Sequence, residues 1–289
     1  MIMRQYCSFF IISLFCLSFS HEANAKSHKN KNVKLQSVYF SWGYNKEWYT
    51  RSTINIKQDN LNNNYQLVHV IAHDHPGWND GLTNQAISIP QYNYRLGFFL
   101  NEKQDLAFEI NFDHTKYVVQ DNQLMHMTGT QFDSHIDQPV LFSQATGSYY
   151  FLNNGANFLL FNLVKKYNFL DHKNLRLDLL GKAGIGPVIP HVQNSLFGQV
   201  NNQGFQFGGW NTGVETAVRA TICHYAYLEF AQKADYARYS NLKVYEGTAK
   251  QNFGTYELIL SLGITLPTKK HNPLFEQKHM ALDNTPQAK

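Results

Sequence analysis

Residues 255–266 read Thr-Tyr-Glu-Leu-Ile-Leu-Ser-Leu-Gly-Ile-Thr-Leu. Tyr256, Leu258, Leu260, Leu262, Ile264 and Leu266 occupy every second position, with Glu257, Ser261 and Gly263 between them. Side chains of a strand point alternately to its two faces, so this stretch has one apolar side and one polar side. The same rhythm runs backwards through the chain. Segment 105–116 sets Leu106, Phe108, Ile110 and Phe112 against Glu109, Asn111 and Asp113. Segment 91–100 sets Tyr92, Tyr94, Leu96, Phe98 and Leu100 against Asn93 and Arg95. Segment 175–185 opposes Leu175, Leu177, Leu179 and Ile185 to Arg176, Asp178 and Lys182. Segment 210–220 opposes Trp210, Val214 and Val218 to Asn211, Glu215 and Arg219. Segment 227–236 opposes Leu228, Phe230 and Tyr236 to Glu229, Lys233 and Asp235, with Gln232 misplaced on the apolar side.

The connections alternate in length. Asn101–Gln104, Asn168–Asn174 and Ile222–Tyr225 are short, whereas the regions near 119–156, 190–204 and 242–252 are long and rich in Asn, Gln, Gly and Ser. Outer-membrane barrels have short periplasmic turns and longer external loops, so the tight turns mark the periplasmic rim. The predicted fold is therefore all-β, an antiparallel up-and-down transmembrane β-barrel of eight to ten strands. Val38, Phe40, Trp42 and Tyr44 make a first lipid face, and 48–58 and 64–73 read as two further strands around a turn at 59–64. That pair is either an external hairpin on an eight-stranded barrel or part of a ten-stranded wall.

Residues 1–25 read as a cleaved signal peptide, with Arg4, an apolar run from Phe9 to Phe19 and Ala23-Asn24-Ala25 as the cleavage site. The apolar run is shorter than the ~20 residues of a membrane-spanning helix. Residues 26–35 form a polar segment, 36–267 the barrel and 268–289 a polar periplasmic tail. Cys7 and Cys16 leave with the signal, so Cys223 alone remains and no internal disulfide holds the fold. A net charge of +4 is too mild to imply nucleic acid, and charged residues are 16% against 15% aromatics, which suits a surface that meets lipid.

Alternation alone does not say which face is outside, because a soluble barrel alternates too. Turn-length asymmetry, the signal peptide and strand length together point to the membrane. The inward charges are then Arg95, Glu109, Asp113, Arg176, Asp178, Lys182, Glu215, Arg219, Glu229, Lys233, Asp235 and Glu257. Both signs occur in comparable number, and a lumen this narrow should be filled by their pairing. A narrow pore is the alternative, for which a single-sign lining is expected.

Two other constellations stand out. His69, His73 and His75 share one face of an extended strand, and imidazoles suit zinc. A polar external loop in a chain with 13 histidines is the better explanation, so no metal and no cofactor is expected. Gly181, Gly184, Gly186 and Pro187 mark a bend or a close backbone approach rather than a phosphate loop.

Residues 39–49 (Tyr-Phe-Ser-Trp-Gly-Tyr-Asn-Lys-Glu-Trp-Tyr), 89–95 (Ile-Pro-Gln-Tyr-Asn-Tyr-Arg) and 108–114 (Phe-Glu-Ile-Asn-Phe-Asp-His) resemble an uncharacterised family of bacterial outer-membrane β-barrel proteins. The resemblance covers about 36 to 266 and implies fold and location, with no activity attached. A weaker resemblance is to the lipid A 3-O-deacylases, outer-membrane barrels with His-x-Ser-Asn on a late strand and a downstream carboxylate. Here the stretch is Arg238-Tyr239-Ser240-Asn241, with Glu246 downstream. Arg238 stands where the histidine belongs, and a guanidinium that never deprotonates cannot be a general base. Ser240 and Glu246 are thus weak catalytic candidates, and a structural or surface-interaction role through external loops is the primary expectation. The partners it implies are outer-membrane lipid and lipopolysaccharide, and the barrel-assembly machinery during insertion. No nucleic acid is expected, and the protein should be a monomer in the outer membrane of a Gram-negative bacterium.

Overall fold

The structure, a computed structural model, describes residues 35–75, 91–152, 155–172, 174–222 and 224–268. The signal peptide, most of the N-terminal segment, the tail beyond Thr268 and Cys223 lie outside the described residues. Seventeen strands follow in chain order: β1 (Ser37–Tyr49), β2 (Ser52–Gln58), β3 (Asn63–Val70), β4 (Ala72–His73), β5 (Tyr92–Phe99), β6 (Leu106–Asp113), β7 (Tyr117–Val119), β8 (Gln123–Gln131), β9 (Ser134–Phe142), β10 (Tyr149–Leu152), β11 (Phe158–His172), β12 (Leu175–Val188), β13 (His191–Leu196), β14 (Gln199–Phe205), β15 (Gly209–Ile222), β16 (Ala226–Val244) and β17 (Gly247–Pro267).

Eight of them close a ring in the order β1-β5-β6-β11-β12-β15-β16-β17, and β17 pairs back on β1 from Ser37↔Pro267 to Tyr49↔Thr255. Every neighbouring pair is antiparallel. The ring decides the strand number at eight. Strands β2 and β3 are an external hairpin, because β2 reaches the ring only through Thr248–Gln251, above the end of the β1–β17 pairing.

Alternation sets the polarity of the wall. On β17, Phe253, Thr255, Glu257, Ile259 and Ser261 are buried, whereas Tyr256, Leu260, Leu262, Ile264 and Leu266 are exposed. Phe108, Leu163, Val214, Val218, Leu228 and Phe230 are exposed on the other strands. Apolar side chains therefore face outwards and charges inwards, the reverse of a soluble barrel. The misplaced Gln232 is accommodated there because the Tyr256 hydroxyl donates to its Oε1 at 2.7 Å. Trp48 and Tyr256 (6.0 Å between ring centroids) and Trp210 and Tyr236 (5.8 Å) cluster towards the long-loop rim.

The short turns are locally encoded. In the β5–β6 turn, the Asn101 side-chain oxygen accepts from the backbone N–H groups of Asp105 and Leu106 (3.1 and 3.2 Å). Inside the wall, Tyr39 and Tyr227 lie flat against glycines of the next strand. A Cβ on Gly97 would stand 1.9 Å from Tyr39 Cζ, and one on Gly263 2.2 Å from Tyr227 Cζ. Gly184 and Gly186 admit the neighbouring strand as closely, since an added Cβ would fall 2.7 Å from the Phe161 carbonyl oxygen and 2.0 Å from that of Leu159 respectively. Strand β12 keeps continuous register with β15 through them, so close approach rather than a bend explains these glycines.

The long connections are not loops. Within 119–156 lie β8, β9 and β10; 190–204 holds β13 and most of β14; and 242–252 continues the β16–β17 hairpin. Two assemblies result: β2-β3-β8-β9 extends the ring sheet from β17, and β14-β13-β10-β7-β4 is a second sheet. Their inward side chains form one apolar core with the tops of the wall strands, including Ile54, Leu67, Met127, Leu152, Val192 and Phe253. Polar composition hid this, because a strand half exposed to water needs only every second residue apolar. The barrel therefore carries a folded cap.

Candidate functional site

Three layers lie along the barrel axis. The first is apolar and begins at the short-turn rim, with Tyr39, Phe99, Ala107, Val164, Leu180, Ala217, Tyr227, Ala231 and Ile259. All eight wall strands contribute to it. The Arg219 guanidinium is held between two of its rings, 4.5 Å from the Tyr39 centroid and 4.0 Å from that of Tyr227. Charges form the second layer. Lys182 Nζ stands 2.8 Å from Glu229 Oε1, 2.9 Å from Glu215 Oε1 and 3.2 Å from Glu109 Oε2. Arg95 Nη1 is 2.8 Å from Glu215 and 3.3 Å from Glu109, and Arg219 Nη2 is 2.6 Å from Glu229. Three cations thus face three carboxylates. The Tyr39 hydroxyl and the Asn162 amide also donate to Glu109, at 2.7 and 3.0 Å.

The third set continues towards the cap. Lys233 Nζ reaches Asp113, Asp235 and Glu257 at 2.5, 3.1 and 3.7 Å. Near the opposite rim, Asp178 meets Arg176 at 3.0 Å and Lys166 at 3.8 Å. Of the twelve charges named from the sequence, eleven are buried and Arg176 is 24% exposed. Sequence reading passed over Glu47, Asn45 and Lys166, although continuing the alternation past Tyr44 would have turned Glu47 inwards. Asn45 donates to both Glu47 (3.0 Å) and Glu257 (3.5 Å), and the Tyr49 hydroxyl donates to Glu47.

The cap is fastened to the wall at Asp74. Pairing of β1 with β5 ends at Tyr44↔Tyr92, but β1 runs on to Tyr49, so N–H groups on that edge lose their ladder partner. The Glu47 N–H donates instead to Asp74 Oδ2 at 2.8 Å. Burial pushes the Asp74 carboxyl up to about 6 from an ordinary 3.8, against the pull of that N–H. Because the folded pKa lies above the unfolded one, this group's contribution is fully present below pH ~4 and lost as pH rises through ~6. Asp74→Asn is expected to remove about 2 kcal/mol of the stability difference between pH 4 and pH 7. Guanidinium midpoints in detergent at the two pH values check this, and an undiminished difference in the variant would refute it.

The histidine candidates are not brought together. His69 lies on β3 with a left-handed φ of 61°, which breaks the alternation, and His73 belongs to the second sheet. His73 Nδ1 lies 3.0 Å from the Asp74 carbonyl oxygen. Among the described residues no group of three His, Cys, Asp or Glu could hold a metal ion.

Ser240 and Glu246 do share a place. Both line an external groove of about 980 Å³ between the extended β16–β17 hairpin and β2, together with Lys57, Arg238 and Lys250. A bulge between Tyr239 and Leu242 interrupts the pairing at Ser240 and Asn241. No histidine is among the residues lining the groove.

No protein-family model matches the chain, and no curated protein does. Solved structures with similarity include three outer-membrane or surface proteins. Neisserial surface protein A is 11% identical, with a TM-score of 0.32, over 78% of this chain and 96% of its own. OprG from Pseudomonas aeruginosa is 9% identical, TM-score 0.38, over 82% and 99%. The attachment invasion locus protein Ail of Yersinia pestis, in complex with the heparin analogue sucrose octasulfate, is 13% identical, TM-score 0.30, over 81% and 100%. At these values the likeness carries no argument about what the chain does.

Proposed function

We propose that this chain is an outer-membrane barrel with a charge-filled, closed lumen, acting at the cell surface through its folded cap rather than as a channel or an enzyme. The observation that carries the reading is the inside-out wall around a sealed interior. The outward faces hold Leu, Phe, Val and Ile, which would be costly in water and suit acyl chains. The lumen at Arg95 and Glu109 has no accessible surface at all, whereas a continuous water path would wet both. Cations and carboxylates of both signs meet there, unlike the single-sign lining of a selective pore. Above them, the cap core covers the long-loop rim with packed apolar side chains.

Two measurements test this. The purified mature chain should fold only with detergent or lipid; a protein that folds freely in buffer would remove the membrane reading. In planar bilayers it should give no conductance steps, and regular steps at single-protein dilution would overturn the closed lumen. The hydrolytic alternative draws on Ser240 and Glu246, but an acyl-transfer site needs a base beside the hydroxyl, and Arg238 is not one. Lipid A from cells with and without the protein should therefore carry the same acyl chains by mass spectrometry.

A further inference from the structure

The groove beside Arg238 occupies a particular height on the wall. Strand β17 is continuous from the apolar belt into the cap, so its outward face passes from Leu262, Leu260 and Tyr256 to Asn252 and Lys250 without a break. Register places Arg238 against Asn252 on one side, and Asn55 against Lys250 on the other. Lys57 follows opposite Thr248. Below this polar field lie Tyr236, Tyr256 and Trp48, and Trp210 stands opposite Arg238 on the neighbouring strand.

Strand geometry converts these positions into heights. At ~3.3 Å per residue and a tilt of roughly 40°, Arg238 stands about 5 Å above Tyr236, and Lys250 about 15 Å above Tyr256. The polar headgroup zone adds only roughly 5–8 Å to each side of the hydrocarbon core. Arg238 is therefore level with headgroup phosphates, while Lys250 stands where further sugars of a larger headgroup would be. Neither cation has an ion pair among the described residues, although Lys57 nearby is 3.0 Å from Asp59. The remaining lining is rich in amides and hydroxyls, among them Asn55, Asn64, Asn252, Ser240 and Thr248, the groups that hydrogen-bond sugars. A volume of about 980 Å³ is ample for a disaccharide.

We propose that this groove is a binding site for the phosphorylated sugar headgroup of an outer-leaflet glycolipid, with Arg238 on a phosphate near the acyl chains and Lys250 on a more distal anionic group. The site binds and does not cleave. It fixes the rotational orientation of the barrel in the leaflet and joins the cap to the lipid around it. This inference rests on the membrane reading.

The test uses the full mature chain in detergent and four probes: bisphosphorylated lipid A, the same lipid with its phosphates removed, dipalmitoyl phosphatidylglycerol and inorganic phosphate. Native mass spectrometry reads retained lipid, and the heat-induced gel shift of a closed barrel confirms folding of each variant. Bisphosphorylated lipid A should be retained, and Arg238→Gln with Lys250→Gln should weaken it about tenfold or more, as should removing the phosphates. Both side chains are exposed and unpaired, so the double variant should fold as the parent does. Equal retention by parent and variant would overturn the site. Retention of phosphatidylglycerol as strong as that of lipid A would reduce it to a general anionic surface and overturn it too. Displacement of the lipid by inorganic phosphate would overturn the commitment to a glycolipid. A barrel that folds without detergent would instead defeat the membrane reading, an outcome distinct from all of these.

Discussion

Lys182→Met is expected to lower the stability of the folded barrel by about 3–5 kcal/mol, the cost of leaving a buried charge without its partner. Lys182 lies within 3.2 Å of three carboxylates, Glu109, Glu215 and Glu229. Its loss leaves Arg95 and Arg219 to face three carboxylates in a place with no accessible water. Methionine fills a similar volume, so the effect reads charge rather than a cavity. Urea or guanidinium unfolding in detergent measures it. Combining the change with Glu215→Gln restores two charges of each sign, and the double variant should be less destabilised than the sum of the singles, by about 0.5–3 kcal/mol. Glu215→Ala or Arg219→Ala alone should also destabilise, without creating activity. Unchanged midpoints for these variants would mean that the lumen charges are solvated rather than paired.

Phe253→Ala should have a comparable effect on a different part of the molecule. Phe253 is buried where β17 leaves the wall and enters the cap, with ring centroids of Tyr117, Tyr239 and Tyr49 at 4.5, 5.3 and 5.5 Å. Truncating a buried phenylalanine costs about 3–5 kcal/mol when the surroundings cannot collapse. Collapse is hindered here because the surrounding tyrosines are tied. The Tyr239 hydroxyl donates to the Ala156 carbonyl at 2.8 Å, the Tyr49 hydroxyl to the Lys116 carbonyl at 2.8 Å, and Gln251 donates to the Tyr117 hydroxyl at 2.6 Å. The loss should fall on the cap, since the wall keeps its own ladder. Brief proteolysis should then cut the variant within 114–157 or 189–208 while the heat-induced gel shift of the barrel persists. A cap as protease-resistant as the parent's would show that this aromatic cluster does not hold it.

The two variants separate regions that differ in how far the sequence revealed them. Lumen charges such as Arg95, Glu109 and Glu215 were legible because alternation on a lipid-facing wall is strict: an outward charge meets hydrocarbon, so charges collect on one parity. Glu47 obeys the same rule and was missed only because the first strand was followed no further than Tyr44. The cap was not legible. Met127 and Val192 lie in stretches rich in Asn, Gln, Gly and Ser, and a strand with one face in water shows only a diluted pattern. The histidines illustrate the converse error, since an assumed unbroken strand from His69 to His75 ignored the left-handed backbone at His69.

By itself, then, the sequence determined the barrel and the two faces of its wall, because a period of two and the cost of charge in hydrocarbon act residue by residue. Tertiary structure alone decided that the wall has eight strands, that the first hairpin stands outside it, that the long connections fold into strands sharing one apolar core, and that Arg238 and Lys250 flank one groove. Those outcomes depend on which strand edges meet across more than two hundred residues of chain, as β1 and β17 do, and pairing at that range leaves no local mark.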